Sequence, residues 1–157
     1  MNVDEIPAPF FLDTNIFVYS FDPRSPVKKR AAIELIRYAF ESQTGIISTQ
    51  VVQEFLNVAT GKLEVPFKAR DAKDYLTGVL APLCQVFPTF ELYDRAISIR
   101  ELYGLSFYDS LIVGGALQAR CKTLVTEDLQ AGQHFESLTV LNPFQAKLKA
   151  KRIANSQ

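Results

Sequence analysis

The sequence contains few residues that bind soft metals or cross-link chains. Its 157 residues include two cysteines, one histidine and no tryptophan. Structural zinc sites use four Cys or His ligands, and disulfide scaffolds need several paired cysteines, so the sequence argues against both kinds of protein. We expect Cys84 and Cys121 to be small buried hydrophobic residues. Any chemistry must come mainly from carboxylates and hydroxyls.

An excess of charge of either sign is also missing. The chain has 17 Lys and Arg against 17 Asp and Glu, which gives a formal net charge of zero. Overall charge therefore does not indicate a nucleic-acid-binding protein, although a local basic patch is compatible with it. Hydrophobic residues make up 48% and charged residues 22%, which is typical of a folded globular protein and excludes wholesale disorder.

Long hydrophobic runs are absent as well. The amino terminus, Met-Asn-Val-Asp-Glu-Ile-Pro, is acidic and has no apolar signal core. The longest uncharged apolar stretch, around Leu111–Ala119, is about half of the ~20 residues that a membrane span needs. We therefore predict a cytoplasmic protein with reduced thiols.

Short β-type runs alternate with longer helical patterns along the chain. This alternation is typical of an α/β fold with a mostly parallel sheet. Strands are predicted at 10–12, 45–48, 85–87, 123–125 and 138–141. Helices are predicted from 26 to before 45 and at 49–60, 68–81, 90–102 and 106–120, with a short one between the last two strands that contains His134.

The domain organisation predicted from this pattern is simple. Residues 1–144 form one domain, because neither a repeat nor a low-complexity linker interrupts them. Residues 145–157 form a basic tail with four cations and no acid. That composition suits either RNA or simple solubility.

Two acidic residues lie just after predicted strands. Asp13 follows 10–12 directly, and Asp128 comes shortly after 123–125, with Glu127 beside it. Ligands of open parallel sheets bind beyond the carboxyl ends of the strands, so both are candidate site residues. Each Asp could instead cap a following helix, which is an equally common role.

Two further acids lie on predicted apolar helices. Glu54 is at the edge of the apolar face of its helix, where an uncompensated carboxylate costs several kcal/mol, unless it reaches solvent from that edge. Asp109 opens the most apolar helix, and Ser106-x-x-Asp109 fits a capping box. A carboxylate beside free N–H groups at a helix start also suits a cation and a phosphate.

One shared cause explains the four acids better than four separate ones. In a parallel sheet they can converge at its carboxyl edge, where clustered carboxylates raise one another's pKa and need a countercharge. No Lys or Arg adjoins any of them in sequence. A hard divalent cation, Mg²⁺ or Mn²⁺, is the natural neutraliser, and it would assist hydrolysis of a phosphodiester by water.

The segments around these acids resemble the PIN-domain family in order and spacing. They are Leu-Asp-Thr-Asn at 12–15, Val-Gln-Glu-Phe at 52–55, Ser-Phe-Tyr-Asp-Ser-Leu-Ile at 106–112 and Thr-Glu-Asp-Leu at 126–129. The length and the closing Leu-Asn-Pro-Phe at 141–144 resemble the VapC-type branch, the toxins of bacterial type II toxin–antitoxin pairs. The resemblance covers residues 10 to 144.

This resemblance implies a three-layer α/β/α sandwich and a Mg²⁺- or Mn²⁺-dependent endoribonuclease that leaves a 5′-phosphate and a 3′-hydroxyl. The catalytic and metal-binding acids that it implies are Asp13, Glu54, Asp109 and Asp128. Asn15 and Thr126 match polar residues near the first and last acids, and either Glu127 or Asp128 could turn inward. The implied partners are an RNA substrate, a cognate antitoxin and a second copy in a homodimer.

A basic run supports a nucleic-acid partner independently of the resemblance. Lys28, Lys29 and Arg30 lie in the first turns of a predicted helix. The helix dipole makes cations there unfavourable by ~0.3–1 kcal/mol each, so the run could serve RNA phosphate. The alternative is a solvated charged face, which is the usual role of such runs.

Other functions stay open at this point. A PIN nuclease of RNA processing would share the same motifs, and an acidic pocket could bind a partner without catalysis. A phosphatase of the haloacid-dehalogenase type also begins with a strand-end Asp, but it needs a second Asp where Asn15 stands.

Overall fold

The computed structural model describes residues 2–145, so the predicted basic tail lies outside the described residues except for Gln145, and its boundary stays a prediction. The strands are β1 (Phe10–Leu12), β2 (Gly45–Ser48), β3 (Cys84–Val86), β4 (Thr123–Val125), β5 (His134–Phe135) and β6 (Leu138–Leu141). The helices are α1 (Thr14–Tyr19), α2 (Pro26–Ser42), α3 (Thr49–Gly61), α4 (Ala69–Tyr75), α5 (Ala81–Leu83), α6 (Phe90–Tyr103) and α7 (Phe107–Gln118).

The described strands form one sheet in the order β3-β2-β1-β4-β6-β5. All neighbouring strands pair in parallel except β5 and β6, which are antiparallel. The prediction of an α/β fold with a mostly parallel sheet is therefore confirmed.

Helices cover both faces of this sheet. Successive residues of a strand point to opposite faces, so Phe10 and Phe11 of β1 show what lies on each side. The Phe10 ring stacks on Tyr38 of α2 with centroids 5.9 Å apart. On the other side, a β-carbon at Gly115 of α7 would lie 3.9 Å from the Phe11 ring. Both phenylalanines are fully buried, as the core of a three-layer sandwich requires.

Most helix boundaries follow the predicted signals. The Ser48 hydroxyl accepts a hydrogen bond from the Val51 N–H at the start of α3, and the Ser106 hydroxyl accepts one from Asp109 at the start of α7. Gly104 ends α6 with a φ of +69°, a conformation that glycine adopts without strain. Within residues 2–145, no helix has both the length and the apolar character that crossing a bilayer would require.

The helix predicted at 68–81 is longer and less regular than expected. α4 continues through a π-helical turn, Leu76–Leu80, into α5, and Pro82 lies inside α5 instead of ending the helix. Proline lacks an N–H and crowds the preceding turn, so it disrupts the main-chain hydrogen bonds of a helix. The π-helical turn is a local irregularity in the same hydrogen bonds.

The short helix predicted between β4 and β6 is wrong. The segment contains turns and then β5, in which His134 is exposed and Phe135 is fully buried. The buried Phe135 lies between two exposed neighbours, His134 and Glu136, which is the two-residue period of a strand. Glu136 turns the chain with a φ of +54° so that β5 pairs with β6.

The strand order places the predicted site at the topological switch point of the sheet. β1 lies between β2 and β4, and the order along the sheet reverses between β1 and β4. The residues that leave these two strands are therefore neighbours: the Asp13 N–H donates to the Val125 carbonyl at 3.1 Å. In open α/β sheets, this is where ligands bind.

Candidate active site at the carboxyl edge of the sheet

Asp13 is a buried carboxyl group directly after β1, with only 5% of its surface exposed. Its Oδ1 accepts the Thr14 N–H at 2.7 Å, and its Oδ2 accepts the Thr126 hydroxyl at 2.8 Å. Asp13 is also the residue that caps α1. The two roles considered from the sequence, a helix cap and a site residue at a strand end, therefore occur together.

Burial raises the pKa of Asp13 to about 7. The hydrogen bonds from Thr126 and Thr14 act in the opposite direction, and the charges of Asp128 and Glu54 raise the pKa further. A positive charge next to this carboxyl group would lower its pKa and favour the ionised form.

Thr126 connects Asp13 to the last predicted acid. Its fully buried hydroxyl, which donates to Asp13, also accepts the Asp128 N–H at 3.0 Å. The Asn15 side-chain amide donates to the Thr126 hydroxyl at 3.1 Å and to Asp128 Oδ2 at 2.9 Å. The structure thus brings Asp13, Asn15, Thr126 and Asp128 together across β1 and β4.

Glu127 points to a different set of partners. It accepts hydrogen bonds from the Tyr19 hydroxyl and, at 3.0 Å, from the Lys28 ammonium group. The Lys28 nitrogen also lies over the rings of Tyr19 and Phe144, 4.6 and 5.2 Å from their centroids. Of the two adjacent acids, Asp128 is therefore the one that joins the Asp13 group.

The predicted basic run divides in the structure. Lys28 is the ion-pair partner of Glu127, and the hydrogen bond to Glu127 raises the pKa of Lys28. Lys29 is half-buried and Arg30 is exposed, and neither forms an ion pair with any carboxylate among residues 2–145. For Lys28, Lys29 and Arg30 alike, contact with RNA stays a prediction.

Glu54 reaches the site from α3. Its Oε2 accepts the Thr14 hydroxyl at 2.8 Å, and its Oε1 accepts the Gln50 amide at 2.7 Å. Because the Thr14 N–H binds Asp13 and the Thr14 hydroxyl binds Glu54, a single residue links the two acids. Glu54 therefore faces the site rather than only solvent.

Asp109 lies at the start of α7 and is half-buried. Within residues 2–145, its carboxylate has no hydrogen-bond or ion-pair partner in the protein. The connection to the other acids is indirect: the Gln50 amide, which binds Glu54, also donates to the Tyr108 carbonyl at 3.1 Å. Asp109 is thus next to the group but outside its hydrogen bonds.

Sequence reasoning missed two residues that hold the acids. They are Thr14, which enters the sequence prediction only as part of the motif at 12–15, and Gln50, which lies outside every predicted motif. Gln50 precedes Glu54 by one helical turn, so the two share a face of α3, and this spacing was the available signal. Thr14 follows a strand-end acid and is buried, but its burial depends on the packing of α1 against α3.

We tested whether these side chains fit the predicted cation. In the part of the chain that the structure describes, no three His, Cys, Asp or Glu side chains are close enough together to hold a metal ion directly. Mg²⁺, however, usually keeps several waters and uses only one or two carboxylates. The donors are all oxygen, and within residues 2–145 two buried acceptor atoms, Asn15 Oδ1 and Gln50 Oε1, have no hydrogen-bond donor. The site fits a hydrated hard cation and not a directly caged one.

Comparison with known proteins supports the fold independently. One similar solved structure is a toxin–antitoxin complex from Klebsiella pneumoniae, with a TM-score of 0.59 and 20% identity over 85% of this chain and 96% of that one. Another is VapBC2 from Rickettsia felis bound to a promoter DNA fragment, with a TM-score of 0.56 and 21% identity over 83% of this chain and 96% of that one. A third is the sarcin–ricin loop cleaving toxin VapC20 from Mycobacterium tuberculosis, with a TM-score of 0.51 and 17% identity over 73% of this chain and 86% of that one. At these identities the likeness concerns the fold. No curated protein matches the chain.

The family assignment comes from the sequence itself. The model of the PIN domain matches residues 10–134, from the first residue of β1 to β5. That range contains all four predicted acids as well as Asn15 and Thr126. Since the match extends over most of its length, this chain belongs to the PIN-domain family.

Proposed function

We propose that this protein is an endoribonuclease that hydrolyses RNA phosphodiester bonds with the help of a hydrated Mg²⁺ or Mn²⁺ ion, and that it is the toxin of a VapBC-type pair. The observation that supports this proposal most strongly is the hydrogen-bonded group of acids at the point where the strand order reverses. Asp13, Asp128 and Glu54 are joined there through Thr126 and Thr14. No Lys or Arg among residues 2–145 neutralises these three acids.

The residues that would hold the hydrated ion, directly or through its waters, are Asp13, Glu54, Asp109 and Asp128. When bound, such an ion polarises a phosphoryl oxygen and makes water a better nucleophile. The raised pKa of Asp13 fits this role, because a nearby cation would lower that pKa and so ionise the carboxyl group.

The surrounding side chains fix the orientation of the acids. Thr14 and Gln50 donate to the two oxygens of Glu54, so this carboxylate cannot rotate freely. Asn15 holds Asp128 from the side in the same way. Positioning groups of this kind typically change metal affinity or activity by ~10–100-fold when they are removed.

The toxin assignment is the finer part of the proposal. It is supported by the similar structures, which include a toxin–antitoxin complex and a toxin that cleaves the sarcin–ricin loop. The partners proposed with it are an antitoxin and a second copy of the chain. If the protein is a toxin, inducing it alone stops cell growth, and co-expression of the antitoxin restores growth. Unimpaired growth together with RNA cleavage would favour a PIN nuclease of RNA processing.

Purified protein tests the catalytic part. We expect cleavage of RNA with Mg²⁺ or Mn²⁺, loss of cleavage with EDTA, and recovery when the metal is returned. Asp13→Asn, Glu54→Gln and Asp109→Asn should each abolish cleavage, while circular dichroism shows a retained fold. Full activity in all three variants would contradict the proposal, and so would activity that EDTA does not affect.

A further inference from the structure

A cleft opens beside the acids on the α7 side. It has a volume of about 350 Å³ and lies between the start of α3, the end of β3 and the starts of α6 and α7. Gln50 belongs to both places, because it lines the cleft and its amide holds Glu54. Whatever fills the cleft therefore lies directly next to the candidate active site.

The walls of the cleft are aromatic and apolar. Tyr93 of α6 and Phe107 and Tyr108 of α7 line it together with Leu92 and Leu111. The rings of Phe107 and Tyr108 are 5.5 Å apart and nearly perpendicular. Tyr108 is a large aromatic residue that is 65% exposed, so its ring is accessible to a ligand.

The polar side chains of the cleft come mostly from α3, the helix that also carries Glu54. Gln50 is 8% exposed, and within residues 2–145 its Oε1 has no hydrogen-bond donor. Gln53 and Thr49 lie on the same wall. A ligand with a flat apolar face and polar atoms at its edge would match both the rings and the polar side chains of this wall.

We propose that this cleft binds one unpaired nucleobase of the RNA, next to the phosphodiester bond that is cut. This inference rests on the proposed nuclease function. Small-ligand pockets measure roughly 300–1,000 Å³, so this one accepts a single base or nucleoside and excludes a duplex. Proteins bind single-stranded RNA mainly by stacking its bases on aromatic side chains, and the aromatic walls adjoining the acids match that mode.

Binding can be separated from cutting in the inactive Asp13→Asn background. We would measure fluorescence anisotropy with RNA oligomers of about 12 nucleotides, one for each base, and with an abasic oligomer of the same length. Tyr108→Ala and Tyr93→Ala should each weaken binding of at least one of the four oligomers roughly tenfold. Neither should change binding of the abasic oligomer. Phe40→Ala is the matched control, because Phe40 is an exposed aromatic residue of α2 that lies outside the cleft.

The remaining outcomes would overturn the inference. Unchanged affinity in both tyrosine variants would mean that the cleft does not bind a base, as expected if it accepts an apolar side chain of a protein partner instead. An equal loss of affinity for the abasic oligomer would mean that the tyrosines contact the RNA backbone and not a base. If none of the four oligomers bound, the proposal that the cleft binds a nucleobase would also be contradicted. RNA cleavage by the unaltered protein is assayed separately, so each of these results can be distinguished from failure of the nuclease proposal.

Discussion

Two neighbouring groups of side chains at the carboxyl edge of the sheet hold their acids with different partners. In the inner group, Asp13 and Asp128 are held by neutral donors, Thr126 and Asn15. In the outer group, Glu127 is held by Tyr19 and by the ammonium group of Lys28. Adjacent residues, Glu127 and Asp128, thus belong to different environments.

The difference indicates what each group is for. The outer carboxylate has its countercharge within the protein and needs nothing more. The inner carboxylates lack one among residues 2–145, and burial raises the pKa of Asp13. Folding a chain around a buried acid without a countercharge, such as Asp13, costs free energy, and a site that binds a cation explains why the cost is tolerated. The predictions below test this contrast, from the largest effect to the smallest.

The first prediction concerns the pH dependence of stability without metal. The folded-state pKa of Asp13 is about 7, against an ordinary value of 3.8, so the folded state binds this proton more tightly than the unfolded state. The stability that the protonated Asp13 carboxyl group adds is fully present below pH 3.8 and is lost as pH rises through 7. Relative to Asp13→Asn, the unfolding free energy of the wild type should therefore fall by up to about 4 kcal/mol between pH 4 and pH 8.

Urea denaturation of both proteins in EDTA across that pH range measures this difference. A difference between wild type and Asp13→Asn that stays constant with pH would show that Asp13 is compensated within the protein, and the contrast would then break down.

The second prediction compares the two adjacent acids directly. Asp128→Asn should lower the rate of RNA cleavage by more than about 100-fold, beyond the ~10–100-fold that outer positioning groups typically give. Glu127→Gln should leave the rate nearly unchanged, because Glu127 is bound to Lys28 and not to the inner group. Initial rates at saturating Mg²⁺ measure both, and the reverse order of effects would exchange the roles assigned to the two residues.

The third prediction concerns Thr126. Thr126→Val keeps the shape of the side chain and removes the hydroxyl shared by Asp13, Asn15 and Asp128. Cleavage should fall by ~10–100-fold. Thr123→Val is a matched control at the other end of β4, where the Thr123 hydroxyl donates to the Pro7 carbonyl.

Both threonine variants should lose about 1–3 kcal/mol of stability in thermal or urea unfolding, because each leaves a polar partner unpaired. Only Thr126→Val should lose activity as well. Equal activity in the two variants would mean that the Thr126 hydroxyl serves the fold alone.

The smallest effect is expected in the outer group. Lys28→Met removes a countercharge that is partly exposed to solvent, and ion pairs of this kind contribute ~0–1 kcal/mol. Stability should change by no more than that, and cleavage should persist. A large loss of RNA affinity in Lys28→Met, measured over a range of salt concentrations, would instead show that Lys28 contacts phosphate.

The sequence was sufficient to predict the strand before Asp13 and the helix that carries Glu54, because the signals of apolar strands and of helix starts are local. Asp13 follows a fully buried strand, and the start of α3 that carries Glu54 is set by Ser48. The choice between Glu127 and Asp128 was not predictable, because it depends on a turn that Thr126 stabilises through the Asp128 N–H. Asp109 was expected within the group, but its distance from the other acids depends on how α7 packs.

Gln50 shows the same limit. Its amide joins Glu54 on its own helix to the Tyr108 carbonyl on another, and no local pattern records that contact. β5 was missed for a related reason: a two-residue strand is stabilised by pairing with β6 rather than by its own sequence.

The most direct test of the central claim is equilibrium binding of Mn²⁺, measured by calorimetry or by the loss of its free electron-spin signal, without any RNA. Wild type and Glu127→Gln should bind the ion with the same affinity, and a variant with both Asp13→Asn and Asp128→Asn should not bind it. Binding that survives in the double variant, or no binding by the wild type, would contradict the account.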